Sequence, residues 1–372
     1  MKISSASLHH YRLPLRTAWV TASGAFARRE GWLLRLTTDT GRKGHGDCAP
    51  LPGSSSATPA DTASELRTRA RRLIGVPAGD ALQTIDSALR RHAPAVSLAI
   101  ETALLDLLAQ AAGLPLATCL RGDQTSAAQR DEPLTVAVNA ALGSIAEVRD
   151  DDLRTATAEG FKVLKLKVGM ADVDDDVNHL QRLAKVLPAA ICLRLDANRA
   201  WHRRDAERFL HGCHGLPIEM LEEPLAEPGL EQLGNLQAAT GIAIAIDESA
   251  SLLTFADILR NRPVRRLVIK PTRTGGLLPA LALARRASHA GLQCIVTSSV
   301  ESACGVTAAA QLALALDNDL AHGLATSGWL VRNTGVPPIV GSGRLTLPNA
   351  AGLAFTPDER LVFSDVSDTD PA

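Results

Sequence analysis

From about Leu134 onward the chain repeats one alternation, a short β-rich apolar run followed by a stretch with apolar residues at helical spacing. The runs are LTVAVN (134–139), KVLKLKV (162–168), AICLRLD (190–196), IEMLEEP (218–224), IAIAIDE (242–248), RRLVIKP (265–271), LQCIVTS (292–298) and a weaker one at HGLAT (322–326). Between them lie amphipathic stretches such as VNHLQRLAKVL, ADILRNR and LLPALALARRASHAG. Nearly continuous apolar strands imply burial on both faces, the habit of parallel sheets covered by helices. Eight alternations favour a closed (β/α) barrel over an open doubly wound sheet. No GxGxxG follows any of the runs, which disfavours a dinucleotide-binding sheet further.

A barrel of roughly 250 residues leaves room for a second, smaller unit in a chain of 372. Residues 1–125 are expected to form it as an α+β domain, with the barrel over 130–330. WLLRLTTDTG (32–41) alternates like a strand and closes on a Thr-Gly turn. GHGDCAPLPGSSS (44–56) reads as a Gly/Pro/Ser-rich loop, and helical patterns follow from about Thr58 to Leu73 and from about Thr84 to Ala112. The tail, about 331–372, is too short to fold alone and is expected to pack back and complete the N-terminal unit.

The charge balance narrows function. A formal net charge of −1 leaves no excess of cations for a phosphate backbone or an anionic leaflet, so neither nucleic acid nor membrane is an expected partner. MKISSASLHHYRLPL interrupts its apolar residues with His, Arg and Pro before any secretory core could form, and no later apolar run reaches the roughly 18 residues of a membrane span. The expected location is cytoplasmic. The six cysteines are scattered without a CxxC, and buried free thiols are the expectation rather than a disulfide framework or a zinc site.

Five charged residues fall at or near the C-terminal ends of five consecutive runs: Lys167, Asp196, Glu222, Asp247 and Lys270. Recurring once per repeat, they belong on one rim, the barrel face where active sites form. Asp196, Glu222 and Asp247 converging there would repel one another unless a cation sat between them. Oxygen ligands without His or Cys favour Mg²⁺ over zinc or copper. In Lys-Leu-Lys, period-two alternation turns Lys165 and Lys167 to the same side, into the barrel. A lysine near a dication and a second ammonium loses protons more readily and can serve as a general base. Lys165 has an electrostatic role open to it instead. Asn198 and Glu223 are weaker candidates, and Glu248 is either a partner of the metal ligands or a solvent-exposed acid.

These residues resemble a known pattern. KLK (165–167), LRLDANRAW (193–201), LEEP (221–224), TGIAIAIDES (240–249), IKPTRTGG (269–276) and SSVES (298–302) are similar to the enolase superfamily in its muconate lactonizing enzyme branch, and most similar to the o-succinylbenzoate synthases. GHGDCAPLPG (44–53) resembles the capping-domain loop of those enzymes. The resemblance implies an α/β fold, a modified (β/α)8 barrel of the (β/α)7β, TIM-like kind, with an α+β capping domain. It implies Mg²⁺, with Mn²⁺ able to take its place, on Asp196, Glu222 and Asp247. It implies Lys167 as the base that removes the proton α to a carboxylate and then protonates the departing hydroxide, with Lys270 staying protonated on the opposite face. Pro50 and Gly53 of the PLPG loop, Ser298, Ser299, Thr272, Lys165 and Asn198 would contact the substrate, and Glu248 would support the metal ligands. The implied partner is a small-molecule carboxylate; monomer and homo-oligomer both remain open. N-acylamino acid racemisation is the alternative, because lysines on both faces suit a two-base proton transfer. Where dipeptide epimerases typically carry a DxD, this chain has GLATSG (323–328), with Ala325.

Overall fold

In the computed structural model, residues 1–21, 24–52, 57–122 and 132–367 are described. The chain opens with a long antiparallel hairpin, β1 (Ile3–Thr21) and β2 (Gly24–Thr38), to which β3 (Lys43–Cys48) adds as a third antiparallel strand. Five helices follow: α1 (Pro59–Arg72), α2 (Ala78–Gln83), α3 (Ser87–His92), α4 (Pro94–Ala112) and α5 (Leu116–Arg121). GHGDC, expected as loop, is thus strand β3. Its glycines serve close approach rather than turning: a Cβ on Gly46 would stand 1.9 Å from the Ala99 carbonyl oxygen, and one on Gly44 2.2 Å from that of Ala103, both on α4. The helical pattern expected over 84–112 is broken at Ala93, which leaves the helical region (φ −138°, ψ 63°) because Pro94 disfavours it there, and Pro94 then starts α4. Among the described residues α4 is the helix long and apolar enough to cross a membrane by length and composition, and 78% of its apolar window is buried inside the fold.

The second part begins with β4 (Leu134–Ala137) and β5 (Ala140–Ser144) and runs through the repeats α6 (Asp150–Ala158), β6 (Val163–Lys167), α7 (Val173–Ala184), β7 (Cys192–Asp196), α8 (Arg203–Gly212), β8 (Ile218–Glu222), α9 (Leu230–Thr240), β9 (Ala243–Ile246), α10 (Phe255–Asn261), β10 (Arg266–Ile269), α11 (Pro271–Thr274), α12 (Leu277–His289), β11 (Gln293–Val296) and α13 (Ala303–Leu316). β5 to β11 form one parallel sheet in strict chain order. Single bridges close it: Thr297 pairs with Gly323, and His322 with Val138. The eighth run therefore contributes little more than His322 and Gly323. The fold is a closed (β/α)7β-type barrel with a capping domain.

One strand assignment needs correction. LTVAVN does not enter the barrel as a unit. Its first half, β4, pairs antiparallel with β13 (Arg344–Leu347), itself paired to β12 (Ile339–Gly341), and the first full barrel strand is β5. The tail also reaches the capping sheet, where β14 (Ser364–Asp365) pairs with β1.

Candidate active site

Register places the charged residues. Lys167 pairs with Asp196 and Asp196 with Glu222, each the last residue of β6, β7 and β8, so three charged ends stand side by side. Asp247 and Lys270 follow immediately after β9 and β10. The three acids come from adjacent strands, flanked by a lysine on either side. Asp196, Glu222 and Asp247 are all more than nine-tenths buried.

Each acid is turned to a cation of the chain. Lys165 Nζ lies 2.7 Å from Glu222 Oε2 and 3.0 Å from Asp196 Oδ2, with Lys167 Nζ 3.6 Å from the same Asp196 oxygen. Asp247 accepts from Lys270 Nζ and, at 2.7 Å, from Arg273 Nη1. Lys167 also donates to Asn198 Oδ1, whose amide nitrogen donates to Glu248 at 3.3 Å. Burial works against the Lys165 ammonium, but the charges of Asp196 and Glu222 outweigh it and hold its pKa well above the ordinary value. Burial likewise raises the two outer acids, yet Lys165 and Lys167 bring Asp196 below its usual range, and Lys270 and Arg273 bring Asp247 well below. Glu222 stays raised by burial and by the charge of Asp196, and burial with the charge of Asp247 pushes Glu248 up to about 8.

As these side chains stand, no three metal-ligating groups converge as a ready cluster among the described residues. Lys165 lies between Asp196 and Glu222, and Asp247 faces Lys270 and Arg273. The donor set nevertheless fits a hard dication. All three acids offer oxygen at one level of the rim. Glu222 Oε1 is buried without a hydrogen-bond partner, an acceptor that a bound cation would satisfy.

Glu223, a weak candidate in the sequence, supports the rim. At φ 50° it turns its carboxylate to accept from the Asp247 N–H at 2.6 Å and the Ser249 N–H at 2.8 Å, fixing the chain that carries Asp247. Burial raises it to about 7. The predicted substrate contacts divide. Ser298, Ser299 and Thr272 come together beside Lys270: Ser299 Oγ is 3.3 Å from Thr272 Oγ1, and Ser298 Oγ donates to Glu301 at 2.5 Å. Lys165 is committed to two acids rather than left open to substrate. Pro50 is half-buried and its carbonyl accepts from Arg29 at 2.9 Å. Gly53 lies outside the described residues.

Sequence reasoning passed over Arg273 and Glu301, although both lie inside quoted motifs. Arg273 falls three residues after Lys270 on the single turn of α11, a spacing that brings it back to the same strand end. Glu301 is 4% exposed and gathers the Ser298 hydroxyl, the Ser299 N–H at 2.7 Å and the Thr272 hydroxyl at 3.4 Å. Only its place after two serines could have signalled it.

Comparison with known proteins agrees with this geometry. Residues 148–361 match the family described as enolase C-terminal domain-like, and residues 3–107 match the MenC N-terminal domain. The L-Ala-D/L-Glu epimerase of Bacillus subtilis (strain 168) is 30% identical over 86% of this chain and 86% of its own. The o-succinylbenzoate synthase of Edwardsiella ictaluri is 32% identical over 86% of this chain and 90% of its own. A solved dipeptide epimerase from Enterococcus faecalis V583, complexed with Mg and L-Leu-L-Tyr, superposes with a TM-score of 0.83 at 26% identity, covering 96% of this chain and all of that one. Rim, barrel and cap together with these matches make the chain an enzyme that belongs to the enolase superfamily, in the muconate lactonizing enzyme subgroup.

Proposed function

We propose that this enzyme is an o-succinylbenzoate synthase, which dehydrates 2-succinyl-6-hydroxy-2,4-cyclohexadiene-1-carboxylate with Mg²⁺ as cofactor and Mn²⁺ as an effective substitute. The observation that carries the choice is the neutrality of the segment after the eighth strand. A dipeptide brings a free ammonium that needs a carboxylate to receive it. Residues 323–328 hold no acid; Thr326 instead donates its hydroxyl to Ser298 at 2.9 Å. The acid beside these hydroxyls, Glu301, is buried and already accepts from Ser298, Ser299 and Thr272, which leaves it no part in receiving an ammonium. The match to the MenC N-terminal domain supports the same reading.

Asp196, Glu222 and Asp247 would hold the Mg²⁺, which when bound draws the substrate carboxylate and acts as a Lewis acid worth several kcal/mol. Lys167, at the end of β6, removes the α-proton. Its ammonium then sits on the face from which the β-hydroxide leaves and protonates it, so one lysine serves as base and acid of a syn elimination. Lys270, two strands beyond Glu222, keeps its proton and stabilises the anion electrostatically. Asn198 holds Lys167 in place, and Glu223 holds Asp247.

One observation favours a second reading. Lysines flank the acids on both sides, which is what racemisation of an N-acylamino acid requires. Turnover of the cyclohexadiene and of N-succinylamino acids, measured side by side with Mg²⁺, separates the two. Dehydration should dominate kcat/KM. Racemisation far more efficient than dehydration would replace the synthase assignment while leaving the rim as described.

A further inference from the structure

Arg29, on β2 of the capping sheet, is fully buried, and among the described residues no carboxylate pairs with it. Its donors go to three main-chain carbonyls instead. Nη2 donates to Ala49 at 2.8 Å, Nη1 to Pro50 at 2.9 Å and Nε to Val300 at 3.2 Å. Ala49 and Pro50 begin the capping loop after β3. Val300 belongs to the turn after β11 that carries Ser298 and Ser299. One planar fork therefore ties a capping segment to the barrel segment whose Ser299 stands against Thr272, two residues past Lys270.

The barrel side of this tie is a conformation that has to be held. Val300 is β-branched and sits at φ 60°, a left-handed conformation that costs of order 1 kcal/mol or more. Its N–H donates to Ser298 Oγ at 2.8 Å and its carbonyl accepts from Arg29, so both of its polar groups are pinned. Asp47, buried and within electrostatic reach of Arg29, supplies countercharge, while Glu301 is buried beside Val300 in sequence. Asp47 is occupied by Tyr11 at 2.6 Å and Ser302 at 2.8 Å, and Glu301 by Ser298 and Ser299. An ammonium could replace Arg29 only in part, because only a guanidinium offers donors in three fixed in-plane directions.

We propose that Arg29 is a positioning residue that sets the Ser298–Val300 turn against the capping loop and thereby governs substrate affinity rather than turnover. The proposal rests on the reading of the adjacent rim as the catalytic site. The rim residues themselves stand on β6 to β10 and do not touch Arg29, so proton abstraction and metal binding should be spared when it is changed.

The test uses the full-length enzyme with Mg²⁺ and whichever of the two candidate substrates the wild type turns over, so failure of the synthase assignment stays distinguishable. Arg29→Met and Arg29→Lys are compared by KM, kcat, calorimetric Mg²⁺ affinity and thermal melting, and Arg29→Ala is assayed with and without added guanidinium. KM should rise roughly tenfold or more in Arg29→Met, the factor equivalent to one lost charge-assisted hydrogen bond. Arg29→Lys should fall between it and wild type, and guanidinium should lower the KM of Arg29→Ala. In all variants kcat and Mg²⁺ affinity should change by no more than about threefold, below the roughly 1.4 kcal/mol of a tenfold effect. Unchanged KM in a folded variant, a loss confined to kcat, or collapse of the fold in all three variants would overturn the proposal.

Discussion

At the N-terminal end of the barrel, opposite the rim that carries Lys167 and Lys270, two guanidiniums depend on one carboxylate, and removing its charge should unfold the enzyme more easily without slowing it. Glu219 accepts from Arg194 Nε at 2.7 Å and Nη2 at 3.2 Å, and Arg266 Nη1 forms an ion pair with it at 2.5 Å. Arg194 is 1% exposed and cannot turn to water when the charge is lost, whereas Arg266 and the half-buried Glu219 line an open cavity. Breaking a buried pair from one side costs about 3–5 kcal/mol. In Glu219→Gln one amide oxygen still accepts, and Arg194 keeps its bond to the Ala321 carbonyl at 2.5 Å, which argues for the low end, about 3 kcal/mol. For a chain of 372 residues that is a fall in melting temperature of roughly 4 °C. The sign with pH is fixed as well. Burial raises the Glu219 pKa, but Arg194 and Arg266 bring it below its ordinary 4.5. A carboxylate lowered by its partners stabilises the fold above the unfolded value and loses that contribution as pH falls through the folded one. The gap between wild type and Glu219→Gln should therefore be full at pH 7 and narrow below pH 4.5. Thermal melts across pH, with kcat/KM at 25 °C, test this. A variant melting within 1 °C of wild type at pH 7, or one stable but catalytically impaired, would refute the separation of a structural end from a catalytic end.

Asp47 should show the opposite dependence on pH. Burial lifts it to about 6 from 3.8, so its contribution to stability is present below the unfolded value and is lost as pH rises through 6. Relative to Asp47→Asn, wild type should lose about 3 kcal/mol between pH 4 and 6 and nothing more above, as chemical denaturation at each pH would show. Asp247→Asn should weaken Mg²⁺ binding at least tenfold, about 1.4 kcal/mol, with circular dichroism unchanged; equal Mg²⁺ affinity by calorimetry would remove Asp247 from the ligand set.

The rim was legible in the sequence because each strand of a parallel barrel is a short apolar run and a charged residue at its end interrupts that run visibly. Lys167, Asp196, Glu222, Asp247 and Lys270 were all found that way. The first barrel strand was not, since LTVAVN is the better β former while AALGS (140–144), with Gly143 at φ 86° forming a bulge, does not look like a strand at all. What divides LTVAVN is RLTL at 344–347, a partner some two hundred residues away. GHGDC read as a loop because glycines signal turns more often than they signal a helix lying against a strand. The residues that hold the rim were hidden for the same reason. Arg273 and Glu301 are recognisable only by what they touch, and Arg29 meets Val300 across 271 residues. Local pattern carries the chemistry of this chain, and long-range contact carries its positioning.

Hydrogen exchange at the substrate α-carbon tests the central claim most directly. In D₂O with Mg²⁺, the wild type should abstract the α-proton of its carboxylate substrate, and Lys167→Ala, folded and still binding Mg²⁺, should neither abstract that proton nor form product. Near wild-type abstraction by Lys167→Ala would contradict the assignment of the base.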